Sequence, residues 1–143
     1  MVTRIIYNNV IPFSGNKSVA IWPFIFARKS AYPLDDETRN HERIHLMQQL
    51  EVTVCSLLAM AAAVLVLHLP LWWLLLSLCT FYVWYAVEFL VRLAACRDGH
   101  EAYRNVAFEQ EAYLNEGDLA YLRSGRRAFA WTKYLTRKTY RRK

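Results

Sequence analysis

Charged side chains are almost absent from the middle of this chain. Residues 52–91 contain no Lys or Arg and a single acid, Glu88, although the 143 residues as a whole carry 18 basic and 12 acidic side chains. An uncharged stretch of this length excludes an ordinary solvated helix and is typical of segments that cross a membrane.

Two parts of this region, 52–69 and 71–91, are each long enough to span a bilayer. Their connection at Pro70 is short and uncharged, which predicts an antiparallel helical hairpin. Basic residues flank the pair on one side only, with Arg43 before it and Arg92 after it. By the positive-inside rule, we expect an integral membrane protein with both termini on the cytoplasmic side.

A long buried helical hairpin in a soluble protein or oligomer is the alternative interpretation. Burying both helices on all sides needs more partner surface than the roughly 100 remaining residues offer, which favours the membrane.

Cysteine is also scarce. Cys55, Cys79 and Cys96 cannot all pair within one chain, and two of them lie in the apolar region, where Cys behaves as a small hydrophobe. We expect all three to be reduced and structural. The chain reaches Pro12 and Gly15 before any apolar helical run can form, so we expect no signal peptide.

Basic residues are concentrated behind the apolar region. Residues 92–143 hold twelve of the eighteen Lys and Arg, and 123–143 hold nine with no Asp or Glu. Such a tail is suited to an anionic surface. No zinc knuckle, aromatic-Gly repeat or recognition-helix pattern accompanies the charge, so we expect anionic lipids of the bilayer as partner and no nucleic acid.

The chain is predicted to form one membrane-anchored α+β domain that is mainly α. Strand-forming residues on both sides of a turn sequence predict an N-terminal β-hairpin, with Pro23 placing its second strand at an edge. Asp35 or Asp36 can cap the next helix, and nothing stops that helix before Pro70. The predicted elements are the β-hairpin (3–29), the motif helix with the first span (36–69), the second span (71–92), an amphipathic helix (103–122) and a basic tail (123–143).

The motif that carries chemistry is His41-Glu42-Arg43-Ile44-His45. On a helix both imidazoles share one face, about 6 Å apart along the axis, so both can ligate one tetrahedral Zn²⁺. Glu42 can then reach a metal-bound water and take its proton as that water attacks a carbonyl. The pattern predicts a zinc hydrolase with Glu42 as general base. The alternative is two surface histidines on an ordinary helix.

A catalytic zinc usually has a third protein ligand. Glu51 follows His41 at the spacing of the third ligand in metzincins, but Gln48 stands where those proteins need a glycine turn. On a continuing helix Glu51 lies about 9 Å along the axis from His45 and is rotated roughly 120° away, which excludes it. The remaining candidates are Glu88, Glu109 and Glu111.

A family resemblance bears on this choice. The motif helix, two apolar spans and then Glu109-Gln110-Glu111-Ala112 resemble the membrane gluzincins of the HtpX and CAAX-processing kind, over about 75 residues. In that family a Glu-x-x-Ala-Asp segment donates the third ligand. The resemblance implies His41, His45 and Glu109 as ligands and Glu42 as base. Tyr113 stands at the family's Asp, and the chain lacks the spans that precede the motif, so it resembles a reduced gluzincin.

We expect the other acids to have structural roles. Glu88 is expected to pair with Arg92 at i,i+4 rather than to bind a metal or transport an ion. Glu111 and Glu116 are expected to be solvated helix acids. Glu111, Tyr113 and Glu88 stay as candidates for supporting the ligands or contacting a substrate.

The predicted function is that of a membrane-embedded zinc endopeptidase. From His45 to Val52 is about 10 Å of helix, which puts the ion just below the headgroups and favours juxtamembrane or membrane-tethered peptide substrates. The edge strand around residues 20–27 is expected to hold such a peptide by strand addition. The alternatives are a zinc-binding membrane adaptor without hydrolytic activity and an accidental motif.

Overall fold

The computed structural model describes residues 3–12 and 16–137, which are mainly helical with one small sheet. The elements in chain order are β1 (Ile5–Asn8), β2 (Ser18–Ile21), β3 (Phe24–Arg28), a 3-10 turn (Lys29–Ala31), α1 (Asp36–Leu67), a 3-10 helix (Leu71–Cys79), α2 (Thr80–Cys96), α3 (Gly99–Arg104), α4 (Ala107–Asn115) and a last 3-10 helix (Ala130–Tyr134).

The sheet has three strands in the order β1-β3-β2. β2 and β3 form the hairpin and are antiparallel, whereas β1 pairs parallel to β3. The predicted β-hairpin over 3–29 is therefore wrong in its topology: β1 pairs with β3 in parallel, and the hairpin is formed by β2 and β3 alone. Trp22 and Pro23 form the connection between β2 and β3, because proline has no N–H to donate to a ladder and fits a turn. β2 is an edge strand, and β3, the strand after Pro23, is central.

Helix α1 begins where the sequence predicts. The Asp35 side chain accepts a hydrogen bond of 2.8 Å from the Thr38 N–H, so Asp35 rather than Asp36 is the cap. The helix ends at Leu67, two residues before the predicted end, because His68 adopts the left-handed conformation at φ 51°. Its 32 residues correspond to about 48 Å.

The second apolar segment returns antiparallel to α1. The hydroxyl of Ser56 donates to the carbonyl of Ser77 at 3.2 Å, near the start of the return. The segment begins as a 3-10 helix and continues as α2 to Cys96, beyond the predicted end at 92. Both Asp36–Leu67 and Leu71–Cys96 are long and apolar enough to cross a membrane, and little of their apolar surface is buried.

The predicted amphipathic helix over 103–122 is wrong. Two short helices, α3 and α4, stand there instead, and turns follow Asn115. Residues 107–112 of α4 are all buried, with Glu109 and Glu111 at 3% and 0% exposure. The expectation that Glu111 is a solvated helix acid is therefore wrong, because sequence periodicity does not reveal the partners that other elements supply to a buried acid.

The main core joins α1, α2, α4 and the C-terminal segment. The Phe108 ring lies 4.5 Å, centroid to centroid, from both Phe81 and Trp131. Arg92 pairs with Glu88 at 2.6 Å, as expected, and donates to the carbonyl of Tyr134 at 3.2 Å. The described part of the basic tail, 123–137, is therefore packed against the domain; residues 138–143 of that tail lie outside the described residues. Cys55, Cys79 and Cys96 are free thiols.

Candidate metal centre

Three side chains from distant parts of the chain meet beside the sheet. His41 and His45 lie one turn apart on α1, and Glu109 comes from the first turn of α4. All three residues are buried, and one ligand atom from each lies within 4.8 Å of the others. The structure thus brings together the residues that the motif and the resemblance single out.

The separations match those around a tetrahedral zinc ion. The two Nε2 atoms are 3.0 Å apart, and Glu109 oxygens lie 3.5 Å from His41 Nε2 and 3.3 Å from His45 Nε2. With metal–ligand bonds of about 2.0–2.1 Å, tetrahedral geometry requires ligand separations of about 3.3–3.4 Å. The 3.5 Å and 3.3 Å distances are to different oxygens of Glu109, Oε2 and Oε1, and the two Nε2 atoms with one of these oxygens could hold one metal ion.

Hydrogen bonds on the outer side of each ring fix its orientation. His41 Nδ1 lies 2.8 Å from a carboxylate oxygen of Glu116, and His45 Nδ1 lies 2.8 Å from Oε1 of Gln48. Gln48 donates through its Nε2 to the Phe108 carbonyl, which identifies Oε1 as an acceptor. Because both outer partners are acceptors, Nδ1 of each ring carries a proton, and the Nε2 lone pair of the neutral ring points inward. Without a metal, one further proton can be shared between the two Nε2 atoms and Glu109.

Glu109 is held by one oxygen and leaves the other without a hydrogen bond. Its Oε1 accepts from the Tyr85 hydroxyl at 2.9 Å, and its Oε2 is buried with no hydrogen-bond partner among the described residues. Burial by itself raises the pKa of this carboxyl. The facing imidazoles of His45 and His41 outweigh that effect and hold the pKa of Glu109 well below its usual range, so the group is a carboxylate.

A cavity of about 440 Å³ adjoins the three side chains and is lined by Glu42, by β2 and by several tyrosines. The Ser18 hydroxyl of β2 donates to Glu42 Oε1 at 2.7 Å, and Glu42 is 7% exposed. Burial and the neighbouring Glu109 raise the pKa of Tyr103 far above its usual range, so its hydroxyl stays a donor within the cavity.

Two acids differ from their expected solvated state. Glu116 bonds to His41, and its side chain is 31% exposed. Glu111 is fully buried and accepts from Tyr121 at 2.9 Å. Both acids have cationic or hydrogen-bonding partners from other elements, and these partners cannot be recognised from the neighbouring sequence.

Tyr113 packs against the site rather than bonding to a ligand. Its ring lies 4.6 Å from the His41 ring, and the Arg104 guanidinium stands 3.7 Å from the Tyr113 centroid. The acid that supports His41 is Glu116, three residues after Tyr113. The Tyr113 side chain therefore lines the cavity.

The remaining candidate acids lie elsewhere. Glu88 pairs with Arg92, and its Oε1 also accepts from the backbone N–H of Ala107 at 2.9 Å, at the start of α4. Glu51 pairs with Arg126 and is outside the metal-ligating group, as the helical geometry predicts.

Three residues that hydrogen-bond to side chains of the site were not predicted from the sequence, namely Gln48, Tyr85 and Ser18. Gln48 lies three residues after His45 on the same helical face, and this spacing is a sequence signal from which its contact with His45 could be predicted. Tyr85 and Ser18 come from other elements and carry no local signal.

Comparison with protein-family models, with curated proteins and with solved structures finds no match to this chain.

Proposed function

We propose that this protein is a membrane-embedded, zinc-dependent endopeptidase whose ion is held by His41, His45 and Glu109. The observation that carries the proposal is the convergence of two inward Nε2 lone pairs and a buried carboxylate oxygen without a hydrogen bond. A divalent cation between these atoms would accept all three lone pairs, whereas one shared proton can serve only two of them at a time.

Zinc suits this donor set better than calcium or magnesium. Two imidazoles and one carboxylate form a usual ligand set of catalytic zinc, whereas calcium and magnesium are bound by oxygen atoms. When bound at such a site, zinc polarises a carbonyl and lowers the pKa of a coordinated water.

Glu42 is the general base in this proposal. It follows His41 directly, lines the same cavity and is held through one oxygen by Ser18, which leaves the other oxygen to take a proton. We further propose that the Tyr103 hydroxyl, a donor in the same cavity that also interacts with Glu109, hydrogen-bonds a substrate carbonyl oxygen.

The substrate is proposed to be a peptide that adds to β2. The Arg28 N–H bonds to the Lys17 carbonyl, so the alternation of an antiparallel ladder turns the backbone of Ser18 and Ala20 to the free edge. Gln49 Nε2 donates a hydrogen bond of 2.8 Å to the Ala20 carbonyl, so this carbonyl is already paired and is not free to bind an added strand. An extended peptide beside Ser18 would lie next to Glu42.

The membrane part of the proposal rests on exposed apolar surface beside the site. Tyr85 bonds to Glu109 from one face of α2, while the opposite face carries Val83, Val87 and Leu90 at 56–60% exposure. Because this apolar face continues past the level of Tyr85, we propose that the bilayer reaches the level of the metal centre. Substrates would then be juxtamembrane or membrane-tethered peptides, with the site and both termini on the cytoplasmic side.

The test combines metal analysis with hydrolysis. Protein purified in detergent is assayed for zinc and for cleavage of lipid-anchored, internally quenched peptides, alongside His41→Ala and Glu42→Gln. Stoichiometric zinc that His41→Ala loses, with cleavage that Glu42→Gln loses, supports the proposal. Zinc without cleavage of any peptide refutes the peptidase and leaves a metal-binding adaptor; no zinc refutes the metal centre.

A further inference from the structure

We propose that Arg126 is a positioning residue of the metal centre, which fixes the ring of His45 through Glu111 and Gln48. The inference rests on the metal site of the proposed function. It adds a residue from the C-terminal basic segment, 17 residues beyond the last proposed ligand, that touches neither metal nor substrate.

Arg126 joins the two helices that carry the metal-binding side chains. Its guanidinium donates to Glu51 of α1 through Nη1 and through Nη2, the latter at 3.2 Å. It donates to Glu111 of α4 through Nε at 2.6 Å and Nη2 at 3.2 Å. The Arg126 side chain is 4% exposed, so these are buried ion pairs rather than surface contacts.

A short chain of hydrogen bonds leads from this ion cluster to the metal centre. Glu111 Oε2 accepts from Gln48 Nε2 at 2.9 Å, and Gln48 Oε1 lies 2.8 Å from His45 Nδ1. An amide that donates at one end must present its oxygen at the other. The carboxylate of Glu111, together with the Phe108 carbonyl, therefore sets the orientation of Gln48, and Gln48 sets the tautomer of His45.

Arginine is required because of its shape as well as its charge. One planar guanidinium offers parallel donors to two carboxylates at once, whereas the compact ammonium of lysine cannot hold both in fixed orientation. If Glu111 were freed to rotate, Gln48 Nε2 would lose its charged acceptor and keep only the Phe108 carbonyl, so the amide would hold its orientation less firmly. The His45 ring would then be less firmly fixed, and its Nε2 lone pair would point inward for a smaller part of the time.

The experiment measures zinc affinity by competition with a chromophoric chelator in Arg126→Lys, Arg126→Met and Gln48→Met. Arg127→Met, at the exposed neighbouring arginine, is the matched control. We expect the first three variants to weaken zinc binding on the order of 10- to 100-fold, the usual effect of losing a partner that orients a metal-bound His. The control should bind zinc as the unaltered protein does.

Two further readouts separate positioning from general loss of structure. The visible spectrum of the Co²⁺-loaded protein should change in Arg126→Lys and Gln48→Met but not in Arg127→Met. In the double variant Arg126→Lys with Gln48→Met, the loss of affinity should be no greater than in Gln48→Met alone, because both act through one path.

Gln48→Met and Arg126→Lys, which keep the buried acids opposite a positive charge, decide the question if Arg126→Met fails to fold. Wild-type zinc affinity and an unchanged Co²⁺ spectrum in both variants would overturn the role of Arg126. Additive losses in the double variant would overturn the path through Gln48. Absence of zinc from the unaltered protein is a different result, which refutes the metal site itself.

Discussion

Glu109 provides the sharpest test of the metal centre, through the nearly isosteric substitution Glu109→Gln. The change keeps the volume of a side chain that is 3% exposed and keeps an oxygen for the Tyr85 hydroxyl. It removes the negative charge that faces both imidazoles at 3.3–3.5 Å. The fold should survive while the metal site loses its anionic ligand.

The magnitude follows from what the carboxylate does. Loss of a group that only orients a ligand costs about 10- to 100-fold in metal affinity, so loss of a ligand should cost at least about 100-fold. A 100-fold increase in Kd corresponds to about 2.7 kcal/mol of binding free energy. At a zinc concentration about 1,000 times the original Kd, zinc stabilises the folded protein by about 4 kcal/mol. In the variant that stabilisation should fall by about 2.7 kcal/mol.

The assay is zinc content after matched dialysis, followed by thermal unfolding in detergent with and without zinc. Glu88→Gln tests the acid that is paired with Arg92, and Glu37→Gln tests an exposed acid at the start of α1. Both should retain zinc and its stabilising effect. If Glu109→Gln binds zinc as tightly as the unaltered protein, Glu109 is not the third ligand, and if Glu88→Gln loses zinc instead, that role belongs to Glu88.

Three other outcomes are expected. Glu42→Gln should keep zinc and lose about 10²- to 10⁴-fold in turnover, because the proton acceptor is gone while the ligands stay; wild-type cleavage rates would exclude it as the base. In a background without the native cysteines, an impermeant thiol reagent applied to intact cells should label a cysteine at Leu69 but not one at Ser124, and the reverse pattern would invert the proposed topology. Trp131→Ala should lower the free energy of unfolding by about 3–5 kcal/mol, since Trp131 is 5% exposed in the core; Leu119→Ala, at an exposed position, is its control, and equal losses in both would contradict the packing argument.

The parts of the fold that sequence predicted are those governed by local rules. A cap at Asp35 or Asp36, the long helix and the two apolar segments follow from neighbouring residues alone. The four-residue spacing of His41 and His45 on that helix fixes their shared face before any tertiary contact is known. The i,i+4 pair of Glu88 and Arg92 was predictable for the same reason.

The parts that sequence did not predict depend on partners distant in the chain. Which strands pair is decided by tertiary packing, and β1 joins β3 although β2 lies between them in sequence. Glu111 resembles a solvated helix acid until Arg126, fifteen residues later, is placed beside it. The role of Glu116 required knowing that the chain beyond α4 packs against the start of α1, where Asn40 donates to the Glu116 carbonyl at 3.0 Å.

The balance of buried charge gives an independent reason to propose a divalent ion. Glu88 is matched by Arg92, and Glu51 and Glu111 share Arg126.

The cavity differs from these pairs, because three carboxylates line it, Glu42, Glu109 and Glu116, and Lys17 is the sole Lys or Arg among its described lining residues. Additional protons on His41 and His45 do not neutralise these carboxylates well. Both rings already carry a proton on Nδ1, so protonating both would put two N–H groups against each other across the 3.0 Å between the Nε2 atoms. One proton can be shared with Glu109, which still leaves a net negative cavity. A divalent cation accepts all three lone pairs at once and supplies the missing charge, which makes a metal ion the simplest occupant that this arrangement of residues favours.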